Sequence, residues 1–193
     1  MKKILEIRLH GRGGQGTVTA AEILALAAFH DGKYAQAFPN FGVERRGAPV
    51  MAFCRIAAQP IRLREQIYQP EYIIIQDASL IGTDPGVMVG ADRCHGILIN
   101  SEKADWPELK NKNIVCVPAT KIALEKIGKP FINTPLVGAF AAMSDAVTLE
   151  SLRAALAEHF GHKPEVVKAN TEAMEAAYAY VKEGQRSKSK GQK

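Results

Sequence analysis

The glycine-rich run Gly11-Arg12-Gly13-Gly14-Gln15-Gly16 is the strongest indication of how this chain folds. It follows an alternating apolar segment, residues 4–9, and precedes an Ala- and Leu-rich segment, residues 17–31. These patterns predict a strand, a tight glycine loop and a largely buried helix. Thr17 is the predicted N-cap of the helix and Gly32 the predicted C-cap. A strand, a glycine loop and a buried helix together open a doubly wound α/β unit.

The remainder of the chain continues this alternation of strands and helices. Further strands are predicted at residues 34–38, 50–56, 72–75, 96–99 and 114–117, and helices at 120–127, 136–143, 149–160 and 165–182. The β-branched run at 72–75 indicates a strand buried on both faces, as in a parallel sheet. No internal repeat or linker divides the chain. We therefore predict a single α/β domain with an open, mostly parallel, doubly wound (Rossmann-like) sheet flanked by helices.

The charge distribution suggests where this domain ends. The 193-residue chain has a formal net charge of +5, and its last eight residues, 186–193, hold four basic side chains and no acid. We predict a domain at 1–183 and a basic, disordered tail at 184–193. Because the excess charge lies in the tail and no aromatic stacking platform is evident, nucleic-acid binding is not expected.

Membrane and metal sites are not expected either. Glu6 and Arg8 interrupt the apolar segment near the N-terminus, and no run approaches the roughly 18 apolar residues that cross a bilayer. These features predict no signal peptide, no membrane partner and a cytoplasmic location. Cys54, Cys94 and Cys116 are too scattered for an iron–sulfur cluster or a structural zinc ion, so we predict three reduced thiols.

The glycine loop has the chemistry of an anion site. Its spacing fits G-x-G-x-x-G at Gly11, Gly13 and Gly16, and glycines allow a ligand to approach the backbone closely. The N-terminus of the next helix favours a phosphate, and Arg12 can add a full charge. A nicotinamide site also needs an acidic residue about 20 positions later, and residues 34–38 contain none. We predict a phosphate or other anion site, with a tight packing turn and a true dinucleotide site as alternatives.

A second cationic feature lies between two predicted strands. Arg45 and Arg46 are adjacent in a glycine-bounded loop, residues 42–49. Guanidinium groups bind phosphates and carboxylates through a planar fork of donors. If strand 34–38 neighbours the first strand, this loop lies at the same sheet edge as the glycine loop. The alternative is a solvated loop in which Glu44 pairs with an arginine.

Several segments of the chain resemble the gamma subunit of the 2-oxoacid:ferredoxin oxidoreductases. They are residues 11–22, 34–39, 41–50 and 133–140, in the order that the family shows, and the likeness spans about residues 4–180. The form Arg45-Arg46-Gly47-Ala48-Pro49 is similar to the pyruvate and 2-oxoisovalerate branch. The equivalent subunits of 2-oxoisovalerate, 2-oxoglutarate and indolepyruvate oxidoreductases are the alternatives within the family.

The resemblance implies a hetero-oligomeric enzyme with alpha, beta and delta-type subunits. Such enzymes convert a 2-oxoacid, here pyruvate, with coenzyme A and oxidised ferredoxin into an acyl-CoA, CO2 and reduced ferredoxin. Thiamine diphosphate with Mg supports the carbanion chemistry, and 4Fe–4S clusters carry the electrons. This sequence lacks clustered cysteines and a thiamine diphosphate signature. Partner subunits are therefore expected to hold both cofactors and to bind ferredoxin. The isolated chain is expected to be inactive.

Coenzyme A is the ligand that this chain is expected to contact, because its diphosphate and 3′-phosphate suit a glycine loop with nearby arginines. The predicted binding residues are Gly11, Arg12, Gly13, Gly14, Gln15, Gly16, Thr17, Arg45, Arg46 and Gly47. No catalytic residue and no metal ligand is assigned. A pure assembly scaffold and a stand-alone nucleotide-binding protein are the rival functions.

Other polar residues are expected to be structural. His10 ends the first predicted strand and is interpreted as a packed side chain, and Asp77 is expected to cap residues 78–80. Gln76 precedes Asp77 at the end of a strand, where open α/β sheets place their sites. His159 and His162 are interpreted as solvated side chains at a helix end.

Overall fold

A computed structural model describes residues 4–40, 46–103, 106–109 and 113–190. In these residues, six strands form one sheet. They are β1 (Ile4–Arg12), β2 (Tyr34–Pro39), β3 (Pro49–Ala57), β4 (Tyr72–Ile75), β5 (Gly96–Asn100) and β6 (Ile114–Val117). Each predicted strand is present, with ends that differ from the prediction by at most a few residues.

The strand order β2-β3-β1-β4-β5-β6 gives the sheet a mixed character. β1, β4, β5 and β6 pair in parallel, whereas β3 runs antiparallel to both of its neighbours, β1 and β2. The predicted open, mostly parallel α/β sheet is thereby confirmed. From the sequence, the two loops are expected at one sheet edge if the second strand neighbours the first. The two strands are not neighbours, because β3 lies between them.

Five α-helices formed by the described residues cover one face of the sheet: α1 (Thr17–His30), α2 (Ala119–Ile127), α3 (Asn133–Ser144), α4 (Leu149–Phe160) and α5 (Pro164–Lys190). They pack on the side chains of Leu9, Ile74 and Leu98, which point to this face. No helix formed by the described residues combines the length and the apolarity of a membrane span.

Within the described residues, four short 3-10 helices lie between β4 and β6 along the chain: Ala78–Leu80, Pro85–Met88, Ala91–Arg93 and Pro107–Leu109. They contribute Leu80 and Val87 to a second cluster, in which Ile73, Ile75 and Ile97 point away from the α-helices. Strand β4 is therefore buried on both faces, as predicted. Sequence periodicity did not reveal the 3-10 helices, because they are only three or four residues long.

Helix α1 begins differently from the prediction. Gly16, in the left-handed region with φ +71°, is its N-cap residue, so the assignment of Thr17 to that position is wrong. The Thr17 hydroxyl instead donates to Oε1 of Gln76 at 2.6 Å. At the other end Asp31 is the C-cap residue, so the assignment of Gly32 to that position is wrong by one residue. Gly32 follows the C-cap with φ +71°, a left-handed conformation that ends the helix.

The last helix extends beyond the predicted domain boundary. Helix α5 runs from Pro164 to Lys190, and it therefore includes residues 184–190 of the predicted tail. The tail is helical as far as it is described. The division of the chain at residue 183 stays a prediction.

Candidate functional site

The two predicted loops meet at the carboxyl end of β1. Gly13 N–H donates to the Ala48 carbonyl at 2.9 Å, and Gly47 N–H donates to the Gly13 carbonyl at 3.1 Å. An isolated bridge pairs Gly13 with Arg46. The chain between β2 and β3 therefore lies against the glycine loop, although β3 and not β2 is the neighbour of β1. Arg45 lies outside the described residues.

Two positions in the glycine loop require glycine for different reasons. A Cβ atom on Gly11 would clash with Oγ1 of Thr17 and Oε1 of Gln76. Gly14 has open space around it, but its φ of +95° is one that L side chains rarely adopt. Gly11 therefore allows close packing inside the fold, whereas Gly14 exposes backbone to the space above the loop.

Arg12 joins three segments of the chain. Its Nε donates to Oδ2 of Asp77 at 2.8 Å, Nη1 to the Gly47 carbonyl at 3.1 Å and Nη2 to Oγ of Ser79 at 2.8 Å. Gln15 Oε1 accepts from the Arg12 N–H at 2.8 Å and closes the loop. The charge of Arg12 is thus largely balanced by Asp77, and its role here is to position the loop.

Asp77 is held in its ionised form. Burial opposes ionisation, but hydrogen bonds from Ser79 and Arg12 outweigh it and keep the pKa of Asp77 below its ordinary value. Its Oδ1 accepts from the Ser79 N–H at 3.0 Å, so the predicted cap on residues 78–80 is confirmed.

Gln76 is a fully buried amide beside the loop. Its N–H donates to the His10 carbonyl at 2.8 Å, its carbonyl accepts from Nδ2 of Asn100 at 3.0 Å, and its Oε1 accepts from Thr17. Its Nε2 has no hydrogen-bond partner among the described residues. Gln76 therefore couples the ends of β1, β4 and β5 to the start of α1.

Two cavities that both include Arg46 border the glycine loop. The first, of about 580 Å³, is lined by the loop, Arg46 and the first turn of α1. The second, of about 610 Å³, lies above the carboxyl ends of β1, β4 and β5 and is lined by Gln76, Asn100 and Phe131 among others. Gly13, Gly14 and Arg46 line both cavities. Of the predicted residues, Gly11 and Gly47 line neither cavity.

Arg46 differs from Arg12 in having no partner among the described residues. It is exposed, and its side chain makes no hydrogen bond or ion pair with the residues that the structure describes. The first turn of α1 faces the same cavity, and Ala20 is the residue whose N–H reaches the Gly16 carbonyl at 2.9 Å. The N–H groups of residues 17–19 precede that first intrahelical bond, so they are directed toward the helix end. A cation and a helix N-terminus thus border one open space, which suits an anion.

His10 is packed inside the fold, as interpreted from the sequence. It is 1% exposed, and its Nε2 accepts from Nε of Arg8 at 2.9 Å. Burial and the charge of Arg8 lower the pKa of His10 to about 3, so its imidazole is neutral at physiological pH. His10 therefore does not serve the cavities as a cation.

The thiols and the remaining histidines form no metal centre within the described ranges, where no group of three or more His, Cys, Asp or Glu side chains has a suitable arrangement. Cys54, Cys94 and Cys116 form no disulfide bond with any described residue, and burial raises the pKa of Cys54 to about 12. His159 is exposed and packs edge-on against Phe160, with ring centroids 4.7 Å apart.

Some residues at the site were not assigned from the sequence. Asn100 ends β5 and donates to Oγ1 of Thr120 at 3.0 Å, and both line the second cavity. The rule that ligands bind beyond the carboxyl ends of parallel strands would have pointed to Asn100. Phe131 precedes α3 and carries no local signal, because its place beside the loop depends on how α3 packs.

An open α/β sheet with a glycine loop at its carboxyl edge defines the class of the protein as a single-domain α/β protein of the open-sheet type. Within that class, a family model described as pyruvate ferredoxin/flavodoxin oxidoreductase matches residues 6–180. The chain belongs to this family.

Three similar proteins illustrate the relationship. The chain is 50% identical over 175 residues to "Pyruvate synthase subunit PorC" of Methanocaldococcus jannaschii, covering 91% of this chain and 96% of the relative. It is 49% identical over 162 residues to the "Pyruvate/ketoisovalerate oxidoreductases common subunit gamma" of Pyrococcus abyssi, covering 81% and 87%. The crystal structure of subunit PORC of a Thermotoga maritima pyruvate oxidoreductase matches with a TM-score of 0.77 at 36% identity, covering 92% of this chain and 97% of that one.

These similarities confirm the family that the sequence segments suggested. They also confirm the assignment of the chain as a gamma-type subunit of a 2-oxoacid:ferredoxin oxidoreductase.

Proposed function

We propose that this chain is the gamma subunit of a pyruvate:ferredoxin oxidoreductase and that it binds the phosphates of coenzyme A at the glycine loop. The observation that carries the proposal is the position of Arg46. It is exposed, lacks a partner among the described residues and lines both cavities that share Gly13 and Gly14. A phosphate there meets a guanidinium group, the first turn of α1 and exposed loop backbone together.

The substrate and the partners rest on the relatives. The names of the M. jannaschii and P. abyssi proteins include pyruvate synthase and pyruvate/ketoisovalerate oxidoreductases. Pyruvate is therefore the proposed 2-oxoacid. Alpha, beta and delta-type subunits are the proposed partners in the cytoplasm, and they would hold thiamine diphosphate, Mg and the 4Fe–4S clusters. The gamma chain would contribute a substrate site and contacts for assembly, without a catalytic residue of its own.

The assembly role is supported by an apolar surface beside edge strand β2. Phe29 is 71% exposed and Tyr34 50% exposed, and both line a shallow cavity of about 460 Å³. Large apolar side chains exposed side by side are typical of surfaces that a partner covers. Phe29→Glu should reduce the recovery of partner subunits with this chain, whereas Leu124→Glu, at a residue 51% exposed on α2, should not. Equal recovery of partner subunits with both variants would contradict the proposal that a partner covers this surface.

The phosphate site is tested by charge reversal in the assembled enzyme. Arg46→Glu replaces a cation that donates hydrogen bonds to phosphate by a carboxylate that repels it, so the KM for coenzyme A should rise about 10- to 100-fold. The KM for pyruvate and kcat at saturating coenzyme A should stay near wild type. Arg64→Glu is the matched control, since Arg64 is exposed and lines none of these cavities. An unchanged KM for coenzyme A in Arg46→Glu would overturn the proposed site.

A further inference from the structure

The sheet ends at two edge strands, β2 and β6, which differ in how their outer edges are protected. β2 carries the polar Gln36 and ends with Pro39, which has no N–H group for a further strand. β6 has the sequence Ile-Val-Cys-Val and contains neither a charged residue nor a proline. Within the described part of the chain it pairs with β5 alone. An uncharged apolar strand with an open edge favours pairing with another strand.

The backbone of β6 shows which groups that edge offers. The Asn113 carbonyl accepts from the Ile97 N–H of β5 at 2.9 Å. In a parallel pair every second residue bonds to the neighbouring strand, so Val115 also faces β5, whereas Ile114 directs its N–H and C=O groups away from it. The outer edge of β6 therefore presents a backbone donor and a backbone acceptor at Ile114.

β6 is also less covered than its apolar sequence would lead one to expect. Val117 is buried, but the other three residues of the strand are only half-buried. In the central strand β4 the three isoleucines are all buried. Apolar side chains that stay partly exposed along a strand edge are typical of a surface that a partner covers.

A groove of about 480 Å³ runs beside this edge, between β6 and the second half of α5. Tyr180, Glu183, Gly184 and Ser187 line it from the helix, where their spacing places them on one face. Glycine inside a helix is less favourable than alanine by about 1 kcal/mol. A Cβ atom on Gly184 would meet no atom within 4 Å. The groove is therefore open above Gly184, and the backbone of a second segment can approach the helix closely there.

The charges in the groove indicate the chemistry of its occupant. Of the described residues that line it, Glu102 and Glu183 are the charged ones; both are exposed, and neither forms an ion pair with a described residue. Lys182 and Arg186 do not line the groove, and Lys182 pairs with Asp145 at 2.9 Å. Two copies of this chain joined through β6 would bring like charges together, whereas a basic segment would neutralise them.

We propose that β6 is the docking edge for an extended, basic segment of another subunit of the oxidoreductase. The segment adds a strand to the sheet, forms hydrogen bonds with the backbone of Ile114 and places a lysine or arginine beside Glu102 and Glu183. Main-chain hydrogen bonds provide the affinity of such a contact, and the two carboxylates select a basic sequence. This surface is separate from the glycine loop, so it does not depend on the phosphate site.

Hydrogen–deuterium exchange, resolved to single amides, compares the isolated full-length chain with the purified assembled enzyme. The amide of Ile114 should exchange at least about tenfold more slowly in the assembled enzyme, because the added strand protects it. The amide of Val115 faces β5, so it should exchange slowly in both samples and serves as the internal reference. Equal exchange of the Ile114 amide in the two samples would overturn the proposal.

Two variants test the groove in the assembled enzyme. Glu183→Lys repels a basic segment, so the Ile114 amide should exchange about tenfold faster than in the wild-type enzyme. Gly184→Leu improves helix propensity and fills the groove, so it should expose the same amide without destabilising the isolated chain. Glu172→Lys is the matched control, because Glu172 is exposed on the same helix outside the groove.

Two results would contradict a basic partner segment. One is wild-type protection of the Ile114 amide in both Glu183→Lys and Gly184→Leu. The other is protection of this amide in the isolated chain that disappears on dilution, since the occupant would then be a second copy of the chain.

Discussion

Two regions along β1 use their arginines in opposite ways. Within the fold, Arg8 is 2% exposed and donates to Nε2 of His10, to the Val87 carbonyl at 3.1 Å and to the Val89 carbonyl. At the carboxyl end of the strand, Arg46 is exposed and has no partner among the described residues. In the first region the arginine is paired within the fold, whereas in the second Arg46 lines two cavities and bonds to no described residue.

Arg55 extends the buried region. It is fully buried, its Nε donates to Oε1 of Glu6 at 2.7 Å, and its guanidinium lies 5.3 Å from the Phe38 ring centroid. Its two Nη atoms have no partner among the described residues. The pairing with Glu6 is therefore the main compensation for this buried charge, and the region is sensitive to its loss.

The largest effect is expected from Glu6→Ala. Removing the carboxylate leaves the Arg55 charge buried and uncompensated, which should lower the free energy of unfolding by about 3–5 kcal/mol. Urea unfolding of the chain measures it. Glu175→Ala removes the partner of Arg153 in an exposed pair and should cost less than about 1 kcal/mol. Similar losses for both variants would erase the distinction between the buried region and the surface.

A pH effect is expected next, from His10. Unfolded, this imidazole takes up a proton below about pH 6.5, whereas in the folded chain its pKa is about 3. The unfolded state therefore binds more protons between these values, so stability falls as the pH is lowered through this window. At pH 5 the loss is about 2 kcal/mol relative to pH 7. His10→Gln should remove this part of the pH dependence in urea unfolding, and the exposed His159→Gln should retain it. Identical pH profiles for wild type and His10→Gln would contradict the prediction.

Gly14→Ala should have a smaller effect. The added methyl group meets no atom within 4 Å, but the φ of +95° strains a residue with a side chain. Stability should fall by about 1–2 kcal/mol. Thermal unfolding against wild type measures the loss. Gly184→Ala, in helix α5 where the added Cβ also meets nothing, should be neutral or stabilising. A neutral Gly14→Ala would show that the loop relaxes freely.

The smallest effect is expected from Arg46→Met. Because Arg46 bonds to no described residue, its loss should change the free energy of unfolding by less than about 0.5 kcal/mol. Urea unfolding gives this value. If the free energy of unfolding fell by more than about 1 kcal/mol, Arg46 would contribute to the stability of the fold as Arg8 does. The difference between the two regions would then not hold.

Much of the architecture was predictable because it follows from local patterns. The isoleucine run at residues 72–75 and the alternation in residues 4–9 identify strands by their periodicity, and Gly32 marks the end of α1 by its conformational freedom. The position of β3 between β1 and β2 was not predictable in this way. Strand pairing depends on contacts between distant segments, and a hairpin of β2 with β3 placed β3 beside β1.

By itself, the sequence determined the class of fold, the order of its elements, the glycine loop and the family, because all of these are carried by residues close together along the chain. Only the tertiary structure decided which charged side chains are paired within the fold and which line a cavity. Arg12 forms an ion pair with Asp77, which is 65 residues away in the chain, whereas Arg46 lines two cavities. Likewise, Phe131 and Asn133 come to adjoin the loop only when α3, α4 and α5 pack around it. Whether a charged side chain is paired depends on residues that are distant in the chain, and only packing brings these residues together.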